Sequence, residues 1–230
     1  MKHFLTLLFM FVGMFMYGQT NLIQDANFES ADFSKAFYQT FPSVYYNQWT
    51  SFVDASLSSN TTISRTTDTE RSEVGQMTNG ATSIANANAW KAFISQRLEM
   101  TADAALYKFS FWAKATAGTP TARVFLKIAG GTTKYFIYDT GKPELPTSKY
   151  TAFCKNLPLT TTWQYFENVL DLSKTTTSMS SIYYSDAVAA TTDDRTNFGI
   201  CLQNNTANSS ILFDEVEFSK AVYTKLDNTS

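Results

Sequence analysis

Alternation of apolar and polar residues over short stretches constrains the fold of this chain more than any other feature of its sequence. In the stretch YKFSFWAKA, residues 107–115, Tyr107, Phe109 and Phe111 occupy alternate positions, while Trp112 has the other parity. Successive side chains of a β-strand point to opposite faces, so the three aromatic residues form one apolar row. Similar stretches recur between loops rich in Thr, Ser, Asn and Gly, without sustained helical periodicity. The pattern predicts an all-β fold.

Ten stretches have the length and composition of strands. We expect strands near residues 21–24, 44–53, 61–65, 90–98, 106–114, 122–128, 133–139, 163–170, 197–203 and 210–218. Two polar stretches, 66–88 and 172–197, are predicted to be long loops or irregular strands. This number of strands in one domain suits a two-sheet antiparallel β-sandwich or jelly roll better than a ligand-holding barrel.

The beginning of the chain has the features of a secretory signal peptide. Lys2 precedes an apolar run from Phe4 to Tyr17, which is followed by Gly18 and Gln19. The run is shorter than the roughly 18 residues that span a bilayer, so we expect no membrane insertion. Residues 1–18 are therefore predicted to be a signal peptide and residues 19–230 a single β-sandwich domain of a secreted protein, extracellular or periplasmic.

Composition excludes several kinds of site. The chain has one histidine, His3, which lies in the predicted signal peptide. The mature protein would then lack Ser-His-Asp and Cys-His pairs, histidine-ligated metals and histidine general bases. The formal net charge of −2 offers no electrostatic drive toward nucleic acid. Any catalysis would have to use carboxylates, Tyr, Lys or Arg.

Two cysteines, Cys154 and Cys201, would face an oxidising compartment after export. A disulfide between them is possible only if their Cα atoms lie within about 7 Å. The sequence does not decide whether they meet.

Three stretches in a fixed order identify a known pattern. They are Asn21–Ile23 with Asn27–Glu29, the central segment 89–115, and NFGICLQNN, residues 197–205, followed by ILFDEVEFS, residues 211–219. Together they resemble the carbohydrate-binding modules of families 4 and 9, relatives of the galactose-binding-like jelly rolls. The resemblance spans nearly all of residues 19–230. It implies two sheets, one of which forms a concave cleft for a glycan chain.

The resemblance also implies that successive strands lie on alternate sheets. The strand that carries Trp112 and the following strand, 122–128, would then belong to opposite sheets. Trp112 would lie away from the cleft, packed against lysine stems and a loop or terminus. A simple hairpin would instead place Trp112 beside Arg123 and Phe125.

The predicted cleft is lined by the strands at 90–98, 122–128, 133–139 and 197–203. On the second of these, Arg123, Phe125 and Lys127 share the parity opposite to the apolar row. An aromatic ring flanked by cations suits a pyranose, whose C–H face stacks on a ring while its hydroxyls need polar partners.

By the resemblance, four further residues match polar or aromatic positions of such a cleft. Tyr135 matches a ring that closes the cleft, Gln203 and Gln96 match polar groups that bond hydroxyls, and Trp90 would lie at the cleft end. Each has a structural alternative: Trp90 and Tyr135 as core or sheet-edge residues, and Gln203 as a loop cap.

On the last predicted strand, residues 210–218, the row of side chains on each face contains a carboxylate. Asp214 shares parity with Val216 and Phe218, whereas Glu217 shares parity with Phe213. A carboxylate in the core needs a hydrogen bond, an ion pair or a metal ion. The resemblance implies a structural Ca²⁺ held by Asp214, Glu29 and backbone carbonyls; the alternative is a hydrogen bond from backbone amides or a hydroxyl to Asp214.

The function predicted on this basis is noncatalytic binding of a polysaccharide or oligosaccharide, and association with extracellular carbohydrate-active enzymes is a further expectation. One alternative is a structural or adhesive module without glycan affinity. Another is a polysaccharide lyase or hydrolase, because Arg71–Val74 is similar to the Arg-x-Glu element of family 7 alginate lyases and Tyr135-Phe136 to their Tyr-Phe-Lys stretch. Those enzymes also use a Gln-x-His element and a further Arg, where this chain has Gly75 and no matching histidine.

Overall fold

Twelve β-strands form the described part of the protein. A computed structural model describes residues 20–34, 47–85, 91–98, 106–127, 135–137, 157–171, 183–184 and 199–220, without the side chains of residues 97, 106, 125–127, 135–137, 168–171, 183–184 and 199. The strands are β1 Trp49–Val53, β2 Thr61–Asp68, β3 Ser72–Asn79, β4 Ala92–Arg97, β5 Leu106–Ala117, β6 Thr121–Lys127, β7 Tyr135–Ile137, β8 Leu157–Pro158, β9 Gln164–Asp171, β10 Tyr183–Tyr184, β11 Gly199–Asn204 and β12 Ser209–Lys220. A single 3₁₀ turn, Ala55–Leu57, lies between β1 and β2.

The strands pair antiparallel in two sheets. A seven-stranded sheet has the order β1-β4-β11-β6-β7-β10, with β8 paired to β6, and a five-stranded sheet has the order β2-β3-β12-β5-β9. The predicted two-sheet antiparallel sandwich is confirmed. Strands β5 and β6 lie in different sheets, as expected for a jelly roll and not for a hairpin.

The core lies between the two sheets. The seven-stranded sheet contributes residues such as Ile94, Val124 and Leu202, and the five-stranded sheet contributes aromatic residues such as Phe111 and Phe213. Phe111 and Phe213 are fully buried, and burial of each ring contributes roughly 1.5–3 kcal/mol. The face of each sheet that is turned away from this core is called its outer face below.

Strand β12 contains a bulge that changes which residues face the core. Asp214 pairs with Trp112 and Glu217 pairs with Ser110, so β12 has one residue more than β5 over this interval. Glu215 lies in the bulge with φ of 44°. Phe213 faces the core before the bulge and Val216 after it, and both are fully buried. The bulge keeps the carboxylates out of the core.

The N-terminal segment replaces a predicted strand. Residues 21–24 form no strand, and residues 23 and 24 are bends. The side chain of Asn21 bonds to β12: Nδ2 donates to Val216 O at 2.9 Å, and Oδ1 accepts from Phe218 N at 3.0 Å. The main chain adds a bond from Leu22 N to Phe218 O at 2.8 Å. The segment thereby bonds to β12 without forming a regular ladder.

Strand β3 lies within residues 66–88, which the sequence predicts to be a long loop or irregular strand. Its core-facing positions are Gly75, Met77 and Asn79, which pair with Phe213, Ile211 and Ser209. The ring of Phe28 packs directly against the backbone at Gly75. A Cβ at that position would come within 2.9 Å of Phe28 Cε1, so a larger residue does not fit there. A row of Gly, Met and Asn lacks the β-branched residues that mark a strand.

Candidate functional site

The four strands that were predicted to line a cleft belong to one sheet. β4, β11, β6 and β7 are neighbours in that order in the seven-stranded sheet. Ala122 and Val124 of β6 are buried in the core, so Arg123 between them lies on the outer face. Arg123 pairs with Gln203 of β11 across the sheet, which places both residues on that face.

Arg123 and Gln203 form a hydrogen-bonded pair. Arg123 Nη1 donates to Gln203 Oε1 at 2.8 Å and to the carbonyl of Ile84 at 3.3 Å. Gln203 Nε2 in turn donates to the carbonyl of Ala92. Both side chains are buried, with 1% and 0% of their surface exposed. The guanidinium is therefore held in one place on the outer face by two acceptors, and charge-assisted bonds of this kind are strong.

Ile84 is a member of this site that the sequence did not predict. It lies in the stretch expected to be a long loop or irregular strand, it is buried, and its amide donates to Asn205 O at 2.9 Å. A backbone carbonyl that binds an arginine leaves no signal in the side-chain pattern of a sequence.

Apolar residues surround the pair on the outer face. Phe93 is fully buried and its ring stacks on that of Phe52, with centroids 5.5 Å apart. Cys201 is also buried, and its thiol lies 3.5 Å from Ser95 Oγ. Cys154 lies outside the described residues, so the disulfide remains a prediction.

Gln96 lies on the other face of the same sheet. It pairs with Ile200 and Trp49, both of which belong to the core. Its side chain accepts from Gln24 N at 2.7 Å and donates to Gln24 O at 2.6 Å. The alternation of side chains along β4 thus turns Gln96 toward the core, where it binds the N-terminal segment. The structure does not bring it together with Arg123 and Gln203.

Three other predicted cleft residues are described in part or not at all. The backbone of Phe125 pairs with Cys201 and Ile137, and that of Tyr135 pairs with Lys127 and Tyr184. These registers place both residues on the face that carries Arg123 and Gln203. Their side chains, and the whole of Trp90, lie outside the described residues. Their role toward a ligand remains a prediction.

Trp112 lies on the outer face of the five-stranded sheet, as expected. Its ring is covered by the guanidinium of Arg71, whose Cζ lies 4.2 Å from the ring centroid of Trp112 and 4.9 Å from that of Trp163. The expected partner was a lysine stem. Arg71 lies in the turn between β2 and β3, so the partner comes from a loop, and it is an arginine. Tyr165, paired with Trp112, is 46% exposed.

Asp214 lies beside this arginine and not in the core. Its Oδ2 is 3.2 Å from Arg71 Nη1, and the same nitrogen is 2.8 Å from Glu215 Oε1. Burial raises the pKa of Asp214 to about 6, although the hydrogen bonds and the charge of Arg71 oppose the shift. The carboxylate is neutralised by a cation of the protein itself.

These surroundings do not fit the expected calcium ion. Ca²⁺ requires six to eight oxygen ligands, whereas a guanidinium occupies the position next to Asp214. Glu29 is exposed, and its backbone carbonyl accepts from Arg65. Among the described residues, no group of three or more His, Cys, Asp or Glu is placed to hold a metal ion. Calcium binding remains untested.

The two elements that resemble alginate lyases lie on different sheets. Arg71–Val74 leads into β3 of the five-stranded sheet, and Tyr135-Phe136 belongs to β7 of the seven-stranded sheet. Glu73 pairs with Arg65, with Oε2 3.1 Å from Nε. The described residues thus engage Arg71 and Glu73 in separate ion pairs of the five-stranded sheet, which does not contain β7.

The described part of the chain includes no helix long and apolar enough to cross a membrane.

No protein-family model matches the sequence, and no curated protein sequence matches it significantly.

Solved structures show the relationship of the fold. A "putative sugar binding protein" from Bacteroides thetaiotaomicron VPI-5482 aligns with a TM-score of 0.64 at 18% identity, over 88% of this chain and 100% of the other. A family 4 carbohydrate-binding module aligns with a TM-score of 0.51 at 15% identity, over 86% and 99% of the two chains. The predicted resemblance to family 4 modules is confirmed at the level of the fold. This chain therefore has the β-sandwich fold of carbohydrate-binding modules.

Proposed function

We propose that the protein is a secreted, noncatalytic module that binds a polysaccharide or oligosaccharide chain on the outer face of its seven-stranded sheet. The observation that carries the proposal is the face shared by Phe125 and Tyr135 through the register of β6 and β7, next to the buried Arg123–Gln203 pair. The fold, which is shared over the whole length of a family 4 carbohydrate-binding module, supports it.

The proposed mechanism combines stacking with hydrogen bonding. The ring of Phe125 would lie against the C–H face of a pyranose, and the neighbouring polar groups would bond its hydroxyls. The Arg123–Gln203 pair is buried and bonded to the carbonyls of Ile84 and Ala92, so it would hold β6 and β11 in place beneath the ligand without contacting it. A preformed site of this kind lowers the conformational entropy lost on binding.

Removing the proposed platform tests the function. We expect Phe125→Ala to weaken glycan binding about tenfold, equivalent to roughly 1.4 kcal/mol, because stacking and apolar burial are lost. Affinity electrophoresis against xylan, β-glucan, alginate and pectin identifies a ligand, and calorimetry then measures its Kd. Tyr165→Ala is the matched control, since Tyr165 is an exposed ring on the other sheet.

Three results would contradict the proposal. Inertness toward every glycan in the panel would favour a structural or adhesive module. Release of unsaturated oligosaccharides, detected by their ultraviolet absorbance, would favour a lyase. Equal Kd values for Phe125→Ala, Tyr165→Ala and the parent protein would place the binding surface elsewhere.

A further inference from the structure

A crossover segment, residues 80–85, leads from the five-stranded sheet to the outer face of the seven-stranded sheet. It begins directly after Asn79, the last residue of β3. The carbonyl of Ile84 accepts from Arg123 Nη1 at 3.3 Å, and the amide of Ile84 donates to Asn205 O at 2.9 Å. Because Arg123 lies near the beginning of β6 on the outer face, the segment borders this end of the face.

The other end of the crossover segment is held by Asn60, in the turn before β2. Asn60 Nδ2 donates to Thr82 O at 2.9 Å, and Asn60 Oδ1 accepts from Thr82 N at 2.8 Å. The main chain adds two bonds at Gly80, from its amide to Asn60 O and from Asn208 N to its carbonyl, both 2.6 Å long. The backbone is thus bonded at residues 80, 82 and 84, which fixes its position against both sheets.

Two exposed hydroxyl groups lie between these fixed points. Ile84 is 2% exposed, whereas Thr82 and Ser83 are both exposed. A hydroxyl can donate one hydrogen bond and accept two. Binding residues are often found on connecting segments that a rigid scaffold holds in place. Thr82 and Ser83 therefore present polar groups to a ligand from a backbone that is already ordered.

The crossover segment lies beside the proposed aromatic platform. Phe125 follows Arg123 by two residues on β6, and the register places both on the same face. At the rise of a β-strand, their backbones are roughly 7 Å apart. The segment that bonds Arg123 is therefore within the span of one sugar unit from the platform.

The floor of this face cannot supply the polar contacts by itself. Its described side chains are 0–1% exposed; they are Phe93, Ser95, Arg123, Cys201 and Gln203. A pyranose stacked on a ring still has hydroxyls that need hydrogen-bond partners. Accessible groups at the rim of the face meet this need.

We infer that the crossover segment forms one wall of the glycan site, where the hydroxyls of Thr82 and Ser83 bond sugar hydroxyls. Asn60 and Arg123 are then positioning residues, because they hold the wall without touching the ligand. An ordered wall lowers the conformational entropy lost on binding. The inference rests on the proposed function and names further residues of its site.

Removing the two hydroxyls tests the wall. Thr82→Ala/Ser83→Ala should weaken binding of whichever glycan of the xylan, β-glucan, alginate and pectin panel the parent protein binds. We expect a loss of about fivefold, equivalent to roughly 1 kcal/mol, because one or two neutral hydrogen bonds are lost. Thr62→Ala/Thr116→Ala removes two exposed hydroxyls from the five-stranded sheet and should leave the Kd unchanged. Calorimetry measures each Kd.

A double-mutant cycle with Asn60→Ala tests the positioning role. In the parent protein this substitution should weaken glycan binding about threefold, because the segment loses both side-chain bonds at Thr82. In the Thr82→Ala/Ser83→Ala background it should have no further effect, since no hydroxyl remains to be positioned. Asn60→Asp keeps the acceptor of Thr82 N and should lose less affinity. Thermal melting establishes that each variant is folded at the assay temperature.

The outcomes separate this inference from the proposed function. An unchanged Kd in Thr82→Ala/Ser83→Ala, with weaker binding in Phe125→Ala, would overturn the wall and leave the proposed function intact. An equal loss in Thr62→Ala/Thr116→Ala would also overturn it, because the effect would not be local. Equal losses from Asn60→Ala in both backgrounds would refute the positioning role. Absence of binding to every glycan would overturn the wall and the proposed function together.

Discussion

Asp214 shows how one residue can be buried and charged without a metal ion. It is 2% exposed, its Oδ2 bonds Arg71, and its Oδ1 is buried without a hydrogen-bond partner in the described residues. Arg71 is held between the indoles of Trp112 and Trp163. The cation therefore stays beside the carboxylate, while burial still favours the protonated acid.

The raised pKa of Asp214 makes stability depend on pH. The folded value is about 6 and the ordinary value is 3.8, so between these limits the folded state binds the proton and the unfolded state does not. The free energy of unfolding contributed by this group is therefore highest below about pH 4 and is lost as pH rises through about 6. We expect a contribution on the order of 1 kcal/mol between pH 5 and pH 7.

The comparison with Asp214→Asn isolates this group from other carboxylates. Urea unfolding of both proteins at several pH values gives the difference in their free energies of unfolding. As pH falls from about 7 to about 4, the free energy of unfolding of the parent protein should rise relative to that of Asp214→Asn. A difference that is constant from pH 4 to pH 7 would show that Asp214 has its ordinary pKa.

Strand β12 owes its arrangement to a single inserted residue. Glu215 occupies the bulge, with φ of 44°, a region that favours glycine. Because of the bulge, Val216 and Phe218 face the core, and both are fully buried. Without it, the alternation of the strand would turn Glu217 inward and these two residues outward.

Inserting one alanine directly after Glu215 should prevent folding, whereas Glu215→Gly should be tolerated. The insertion shifts every following residue of β12 to the opposite face, which exposes two apolar side chains and buries a carboxylate. Glycine keeps the bulge, relieves the backbone and loses only an ion pair whose carboxylate is 53% exposed, so its stability should stay within about 1 kcal/mol of the parent. Thermal melting followed by circular dichroism measures both. A cooperative, unshifted transition in the insertion variant would refute this account of β12.

At the scale of the whole molecule, the N-terminal segment joins the two sheets. Val216 N donates to Ala26 O at 3.1 Å on the five-stranded side. On the seven-stranded side, Trp49 Nε1 donates to Asp25 O at 2.7 Å and Gln96 makes two bonds to Gln24. Phe28 follows and stacks on Trp49, with ring centroids 4.4 Å apart. The segment thus bonds to both layers of the sandwich.

Gln96→Ala tests this bridging role against the predicted cleft role. The substitution removes both partners of the Gln24 backbone, which should lower the free energy of unfolding by about 1–3 kcal/mol. Glycan affinity should be unchanged, since Gln96 faces inward. Urea unfolding and calorimetry give the two values. Gln76→Ala is the control, because its amide bonds Ser210 Oγ on an outer face. Weaker glycan binding with unaltered stability would instead support the predicted role of Gln96 in binding the ligand.

The fold followed from local sequence to a large extent. Strands such as β5, β6 and β11 were predicted within a few residues, because alternation with aromatic and β-branched residues is a local signal. The stretch that contains β3 was predicted only as a long loop or irregular strand, because the inward row of β3 contains Gly75, and the reason for a glycine there is the ring of Phe28 that packs against it. The site was predicted in part: Arg123 and Gln203 meet on one face, but Gln96 does not join them, because its parity depends on the register of β4.

The sequence by itself determined the class of fold and confined histidine to position 3, because alternation and composition act at each position independently. Only the tertiary structure decided which face each residue occupies after the bulge at Glu215, and which partner neutralises Asp214. It also brought the carbonyl of Ile84 to Arg123, which is far from it in the chain. Such contacts depend on register between strands, and register is set by the packing of the whole sandwich.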